Sequence, residues 1–99
     1  MQNFVFVRFF AKPGSEDKVK GILQNMVDNS RQEPGCMLYN LYEMSVEGKH
    51  IFCLAEQYRD DAALEAHRAG SYYKEYRATI MELLDAPIEV NILTPIDAV

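Results

Sequence analysis

Residues 36–58 read Cys36-Met37-Leu38-Tyr39-Asn40-Leu41-Tyr42-Glu43-Met44-Ser45-Val46-Glu47-Gly48-Lys49-His50-Ile51-Phe52-Cys53-Leu54-Ala55-Glu56-Gln57-Tyr58. Two apolar, aromatic-containing runs, 36–44 and 51–58, flank a polar segment with a glycine at its centre, the pattern of a β-hairpin. A turn centred on that segment pairs residues whose numbers sum to about 95. Tyr39 then falls opposite Glu56, on a face shared with Leu41, Leu54 and Tyr58. In the same register Cys53 faces Tyr42 and Cys36 faces position 59. The two thiols are then offset by about six residues, roughly 20 Å along a strand, whereas a disulfide needs Cα atoms within about 7 Å. Both cysteines are expected to be free, as in a reducing compartment.

The segments on either side complete the pattern. Residues 4–11 form a β-rich run interrupted by Arg8, and Lys12-Pro13-Gly14 stops it. Ser15 is placed to cap a helix, with Glu16 and Asp17 at the positive end of its dipole. Val19, Ile22, Leu23, Met26 and Val27 then form one amphipathic stripe. Glu33-Pro34-Gly35 ends that segment. Beyond the hairpin, Asp60 caps a short helix carrying Ala63, Leu64 and His67 on one side. Gly70 breaks it, and Ser71 is placed to cap another with Tyr72, Tyr73, Tyr76, Ile80, Leu83 and Leu84 on one broad face. Pro87 opens a last strand in which Ile88, Val90 and Ile92 alternate with Glu89 and Asn91. The order β-α-β-β-α-α-β predicts one α+β domain over 1–99, a ferredoxin-like plait with an antiparallel four-stranded sheet. Its core covers about 4–93, and 94–99 form a tail.

In the first strand Val5, Val7 and Phe9 point one way, and Phe4, Phe6 and Phe10 the other. Both faces are apolar, yet helices cover only one, so the other needs a partner. The simplest partner is a second copy, giving a homodimer packed sheet against sheet.

Composition narrows the function. Ten Lys and Arg against 15 Asp and Glu give a net charge of −5, the wrong sign for a nucleic-acid backbone. With 48% hydrophobic residues the chain is not disordered, and it has no apolar run of about 18 residues to span a membrane. Met1-Gln2-Asn3-Phe4 does not open a signal peptide, so a cytoplasmic protein is expected. There is no glycine-rich phosphate loop, no dinucleotide fingerprint, no Cys or His pair at metal spacing and no nucleophile elbow. If the chain is an enzyme, it is expected to work without a tightly held flavin, nicotinamide or metal.

His67 is the first candidate. On the inward side of its helix, an imidazole near a cavity can act as general base or acid near neutral pH; a core histidine satisfied by one hydrogen bond is the plain alternative. Glu56 is the second. A carboxylate beside Tyr39 and Tyr58 on an apolar sheet face has reason to titrate high, although a structural hydrogen bond or an arginine partner would also account for it. Tyr72, Tyr73 and Tyr76 form a third cluster, in which a core or interface role competes with substrate contact. Arg8, which interrupts the phenylalanine face of the first strand, could steer an anionic substrate, but reads first as a structural ion pair.

Several segments carry a resemblance in order and spacing: Ala11-Lys12-Pro13-Gly14, Glu33-Pro34-Gly35-Cys36 with Tyr39, Glu56-Gln57-Tyr58, Asp61-Ala62-Ala63-Leu64-Glu65-Ala66-His67, and Tyr73-Lys74-Glu75-Tyr76. Across about 4–93 the chain resembles the antibiotic biosynthesis monooxygenase superfamily of dimeric α+β barrel proteins. That resemblance implies the homodimer and a tail reaching onto the partner. The family includes cofactor-independent oxygenases of quinols and polyphenols, an isomerase of a phosphorylated signalling sugar, and haem-degrading enzymes. It also implies that His67 lines a pocket between sheet and helices. The chain departs from the pattern in carrying Tyr72 where several members have a second His, and Tyr58 where oxygenase members often have Trp. It has no Trp at all, and Val7 stands where haem-degrading members use Asn. The implied function is a monooxygenase acting on a quinol or polyphenol-like small molecule with O2. His67 and Glu56 would be catalytic, and Tyr39, Leu54, Tyr58, Tyr72 and Tyr76 would hold the substrate. An isomerase of a small hydroxyketone or sugar phosphate, and a non-catalytic metabolite-binding dimer, remain alternatives at this point.

Overall fold

In the computed structural model, which describes residues 3–98, the chain forms β1 (Asn3–Phe10), α1 (Glu16–Ser30), β2 (Cys36–Val46), β3 (Lys49–Tyr58), α2 (Asp61–Ala69), α3 (Ser71–Ile80) and β4 (Glu89–Leu93). Met1, Gln2 and Val99, and with them the outermost parts of the expected N-terminal segment and tail, lie outside the described residues. The four strands make one antiparallel sheet in the order β2-β3-β1-β4. This is the predicted plait.

The hairpin sets the register. Glu47 (φ +52°) and Gly48 (φ +79°) are both left-handed, the two-residue turn whose twist matches that of the flanking strands. Val46 pairs with Lys49 and Tyr39 with Glu56, as the spacing predicts. The pairing slips at a bulge between Cys36 and Leu38, so Cys36 faces Tyr58 rather than position 59. Both cysteines are free.

Val5, Val7 and Phe9 of β1 are buried, on the same face as Phe52, Leu54 and Glu56 of β3. Over them lie Val19, Leu23, Met26 and Val27 of α1 and Tyr76 and Ile80 of α3, all buried. Each such side chain contributes roughly 1.5–3 kcal/mol relative to exposure. The opposite face carries Phe4, Phe6 and Phe10, only partly buried, with Tyr42, Met44 and Leu93 exposed by 55%, 40% and 49%. Arg8 on this face pairs with Glu89.

Several local expectations are corrected. Ser15 occupies the cap position of α1 but its side chain makes no capping bond; the Gly14 N–H is instead taken by the Glu16 carboxylate at 2.8 Å. Ser71 is the first residue of α3 and Gly70 the residue before it, because the extended Gly70 backbone already turns the chain. The helix ends at Ile80 and tightens into a 3-10 turn, Met81–Leu83. That turn is tied to the end of β1 by Lys12 N–H to the Leu83 carbonyl and Asp85 N–H to the Phe10 carbonyl. Ile88 precedes β4, in which Val90 and Ile92 are 41% and 52% exposed despite their inward register. As an edge strand, β4 pairs with β1 alone among the described strands, which leaves its outer side open.

Candidate functional site

His67 reaches the interior because α2 starts where the sequence predicts. The Asp60 side chain accepts the Ala63 N–H at 2.8 Å, which satisfies an orphan donor of the first turn. From that start Leu64 and His67 face inward, and His67 is only 2% exposed. Its ring lies 5.1 Å from the ring of Tyr73, 5.2 Å from Tyr58, 5.7 Å from Tyr39 and 6.3 Å from Tyr72. Tyr73, rather than Tyr72, is thus the α3 tyrosine nearer the imidazole. Tyr76 packs on Tyr73 at 5.4 Å, and Leu54 is fully buried in the core.

Two carboxyl groups bracket the imidazole. Glu33, in the turn after α1, places its two oxygens 3.1 and 3.0 Å from Nδ1. Glu56 of β3, 5% exposed, has Oε1 4.0 Å from Nε2, and the same oxygen accepts the Tyr58 hydroxyl at 2.6 Å. Nε2 has no hydrogen-bond partner among the described residues. The result is a line of polar groups, Glu33–His67–Glu56–Tyr58, across an otherwise apolar interior.

Burial governs how these groups titrate. It pushes Glu56 up to about 7, against the Tyr58 hydrogen bond and the Arg68 charge, while the charge of Glu33 adds to the rise. Burial also lowers His67 from its ordinary range, although Glu33 opposes that shift through its hydrogen bond and its charge. Tyr39, Tyr58 and Tyr76 are pushed up by burial first and by neighbouring charge second, so they stay protonated as hydroxyl donors. Near neutral pH the site therefore holds a neutral imidazole beside a carboxyl group poised between its two forms, a pair suited to accepting and passing on one proton.

Two spaces adjoin this line. An inner cavity of about 20 Å³ touches Glu56, His67, Arg68, Tyr73, Tyr76 and Arg77. A larger open cleft of about 440 Å³ lies between the Glu33-Pro34-Gly35 turn, Arg59 and the Ala62, Ala63 and Ala66 side of α2, with Tyr72 at its edge. Glu33 alone belongs to both the cleft wall and the hydrogen bond with His67. Of the residues expected from the sequence, Tyr72 is on the cleft, while His67, Glu56, Tyr39, Tyr58 and Tyr76 surround the inner cavity or the imidazole. Glu33 was readable only as a helix-ending turn. It lies 34 residues from its partner, and no spacing rule links two residues so far apart. Among the described residues no three His, Cys, Asp or Glu side chains cluster so as to hold a metal, and no helix is long and apolar enough to cross a membrane.

Comparison with known proteins places the chain and its fold among relatives. Residues 4–79 match the pattern of the family described as "Antibiotic biosynthesis monooxygenase". "Putative monooxygenase Rv0793" of Mycobacterium tuberculosis is 38% identical over 93 residues, covering 94% of this chain and 90% of the relative. "Putative monooxygenase YcnE" of Bacillus subtilis is 32% identical over 80% of this chain and 82% of its own length. The solved structure of Rv0793 superposes with a TM-score of 0.91 over 99% of this chain and 98% of that one, at 37% identity. That of PA3566 from Pseudomonas aeruginosa does so with 0.87 over 97% and 95%, at 28% identity.

Proposed function

The chain belongs to the antibiotic biosynthesis monooxygenase family, and on that premise we propose that it is a cofactor-independent monooxygenase oxidising a quinol or polyphenol-like small molecule with O2. The observation that carries this reading is the buried imidazole of His67, set among four tyrosine rings and beside the high-titrating carboxyl of Glu56. His67, assisted by Glu56, takes the proton of a phenolic hydroxyl. The phenolate gives one electron to O2, and the resulting substrate radical and superoxide combine into a carbon-bound peroxide, which takes up a proton. The peroxide loses water, and the remaining oxygen becomes the carbonyl of a quinone. The substrate supplies every electron, so the balance needs no outside reductant. The protein contributes position and preorganised polar groups at the reacting hydroxyl.

Size assigns the places. An aromatic ring needs a cavity on the order of 150 Å³, so the ring is placed in the cleft of about 440 Å³ against Tyr72. Its hydroxyl proton is proposed to reach Nε2 of His67 through a water, for which the inner cavity of about 20 Å³ has room. Tyr39 and Tyr58 pack beside the imidazole, Tyr76 supports Tyr73 and Leu54 belongs to the buried core, so their proposed part in binding runs through the setting of His67. The active unit is proposed to be a homodimer joined through the face bearing Phe4, Phe6 and Phe10, with the exposed tail around Ile96 lying on the partner. Half-buried phenylalanines on a helix-free sheet face support this, since a solvated face alternates with polar residues.

Oxygen uptake by metal-stripped protein against a panel of hydroquinones and polyphenols tests the reading. Protein-dependent uptake is expected, falling by about 10²-fold or more in His67→Ala. No uptake with any substrate, or undiminished turnover in a folded His67→Ala protein, would overturn it.

A further inference from the structure

The reaction proposed above leaves Glu33 without a task, yet its surroundings are closely specified. Both of its oxygens address the same imidazole nitrogen, and its side chain is only 21% exposed. A carboxylate offers acceptors, so this geometry favours the proton on Nδ1 and the lone pair of the neutral ring on Nε2. That nitrogen is the one buried with no partner among the described residues, 4.0 Å from Glu56.

The turn that carries Glu33 is held to the helix that carries His67. Glu33 N–H donates to the Ser30 carbonyl at 3.0 Å, Cys36 N–H to the Glu33 carbonyl at 3.1 Å, and Arg59 N–H to the Gly35 carbonyl at 2.9 Å. Gly35 lies so close to α2 that a Cβ there would sit 2.4 Å from the Cβ of Ala63. Carboxylate and imidazole therefore keep a common frame although the chain between them passes through the whole hairpin.

We propose that Glu33 is the positioning residue of this site: it fixes the ring orientation and the Nδ1–H tautomer of His67, and so presents a basic Nε2 to Glu56 and the inner cavity. Because Glu33 also walls the open cleft, a molecule bound there lies against the carboxylate that sets the tautomer. The consequence for turnover rests on the monooxygenase reading, but the tautomer itself does not.

The test is long-range proton–nitrogen NMR on the uniformly labelled full chain, with His50 and His67 told apart by their single variants. The groups facing the imidazole during titration are Glu33 from the turn, Tyr39 from β2, Glu56 and Tyr58 from β3, Arg68 on α2, and Tyr72 and Tyr73 on α3. Wild type is expected to show the Nδ1–H tautomer of His67 above its titration. In the near-isosteric Glu33→Gln, whose amide can accept from Nδ1–H or donate to a bare Nδ1, that preference weakens, and the midpoint moves to lower pH because a neighbouring charge that favours imidazolium is gone. An Nε2–H tautomer in wild type, or an unchanged tautomer and midpoint in a folded Glu33→Gln protein, would overturn the proposal. The wild-type spectrum decides even if the variant does not fold. On an active substrate Glu33→Gln lowers kcat by about tenfold or more with KM little changed. Tautomer control without oxygen uptake in any form would leave the positioning role standing and remove the monooxygenase reading. Uptake together with an Nε2–H tautomer would do the reverse.

Discussion

Replacing Glu56 by Gln should make the fold more stable at pH 8 than at pH 5, relative to the parent chain. Burial moves the Glu56 carboxyl from 4.5 up to about 7. Between those two values the folded chain keeps a proton that the unfolded chain has released, so the stability of the parent falls as pH rises through that window. At about 1.4 kcal/mol per pH unit, the loss amounts to about 2–3 kcal/mol between pH 5 and pH 8. Gln cannot ionise, has nearly the same shape, and still offers a carbonyl to the Tyr58 hydroxyl that now donates to Oε1. His67 works in the opposite direction. Its folded value lies below 6.5, so its contribution grows as pH rises toward 6.5, but it is present in both proteins and largely cancels in the comparison. Urea unfolding at both pH values reads the difference. With a slope of about 1–3 kcal/mol/M, the Gln protein should gain about 1–2 M in midpoint over the parent between pH 5 and pH 8. A difference that does not change with pH would mean that Glu56 is ionised throughout, and the acid–base pairing with His67 would lose its basis.

Other outcomes follow from the packing. Light scattering at micromolar concentration should give a mass of two chains of 11.4 kDa, and Phe6→Glu should halve it; a parent mass of one chain would refute the sheet-to-sheet dimer. Gly35→Ala should cost roughly 1–3 kcal/mol in denaturant unfolding, because its Cβ would meet that of Ala63 at 2.4 Å; an unchanged midpoint would show that the turn is free to move off α2. The thiols should react slowly with a disulfide reagent at pH 8. Burial raises Cys36 to about 11 and raises Cys53 as well, leaving on the order of a thousandth of Cys36 as thiolate; prompt labelling of two thiols in the folded chain would contradict that burial.

The legible parts of this protein are those decided by neighbours in the chain. Gly48 and its flanking runs set the hairpin register because a two-residue turn dictates which residues face each other, and from that register Tyr39, Leu54, Glu56 and Tyr58 fall on one face. The apolar stripe of α1 and the Asp60 cap follow from a 3.6-residue period and one side chain reaching one N–H, and they are enough to turn His67 inward. The doubled apolar faces of β1 are likewise visible in Val5, Val7 and Phe9 against Phe4, Phe6 and Phe10.

Tertiary structure decided the rest. The bulge at Cys36, the unused cap at Ser15 and the exposure of Val90 and Ile92 depend on which element covers which, and periodicity carries no such information. The same holds for the site. Glu33 reads as a turn residue until the hairpin and α2 fold back and bring its carboxylate to Nδ1 of a histidine 34 residues away. Glu56 becomes a high-titrating acid only when helices remove water from its side of the sheet. Sequence determines which side chains share an element and a face, because those relations are local. The partner of a buried polar group and its proton affinity depend on closure of the whole chain, because desolvation and long-range contact exist only in the packed state.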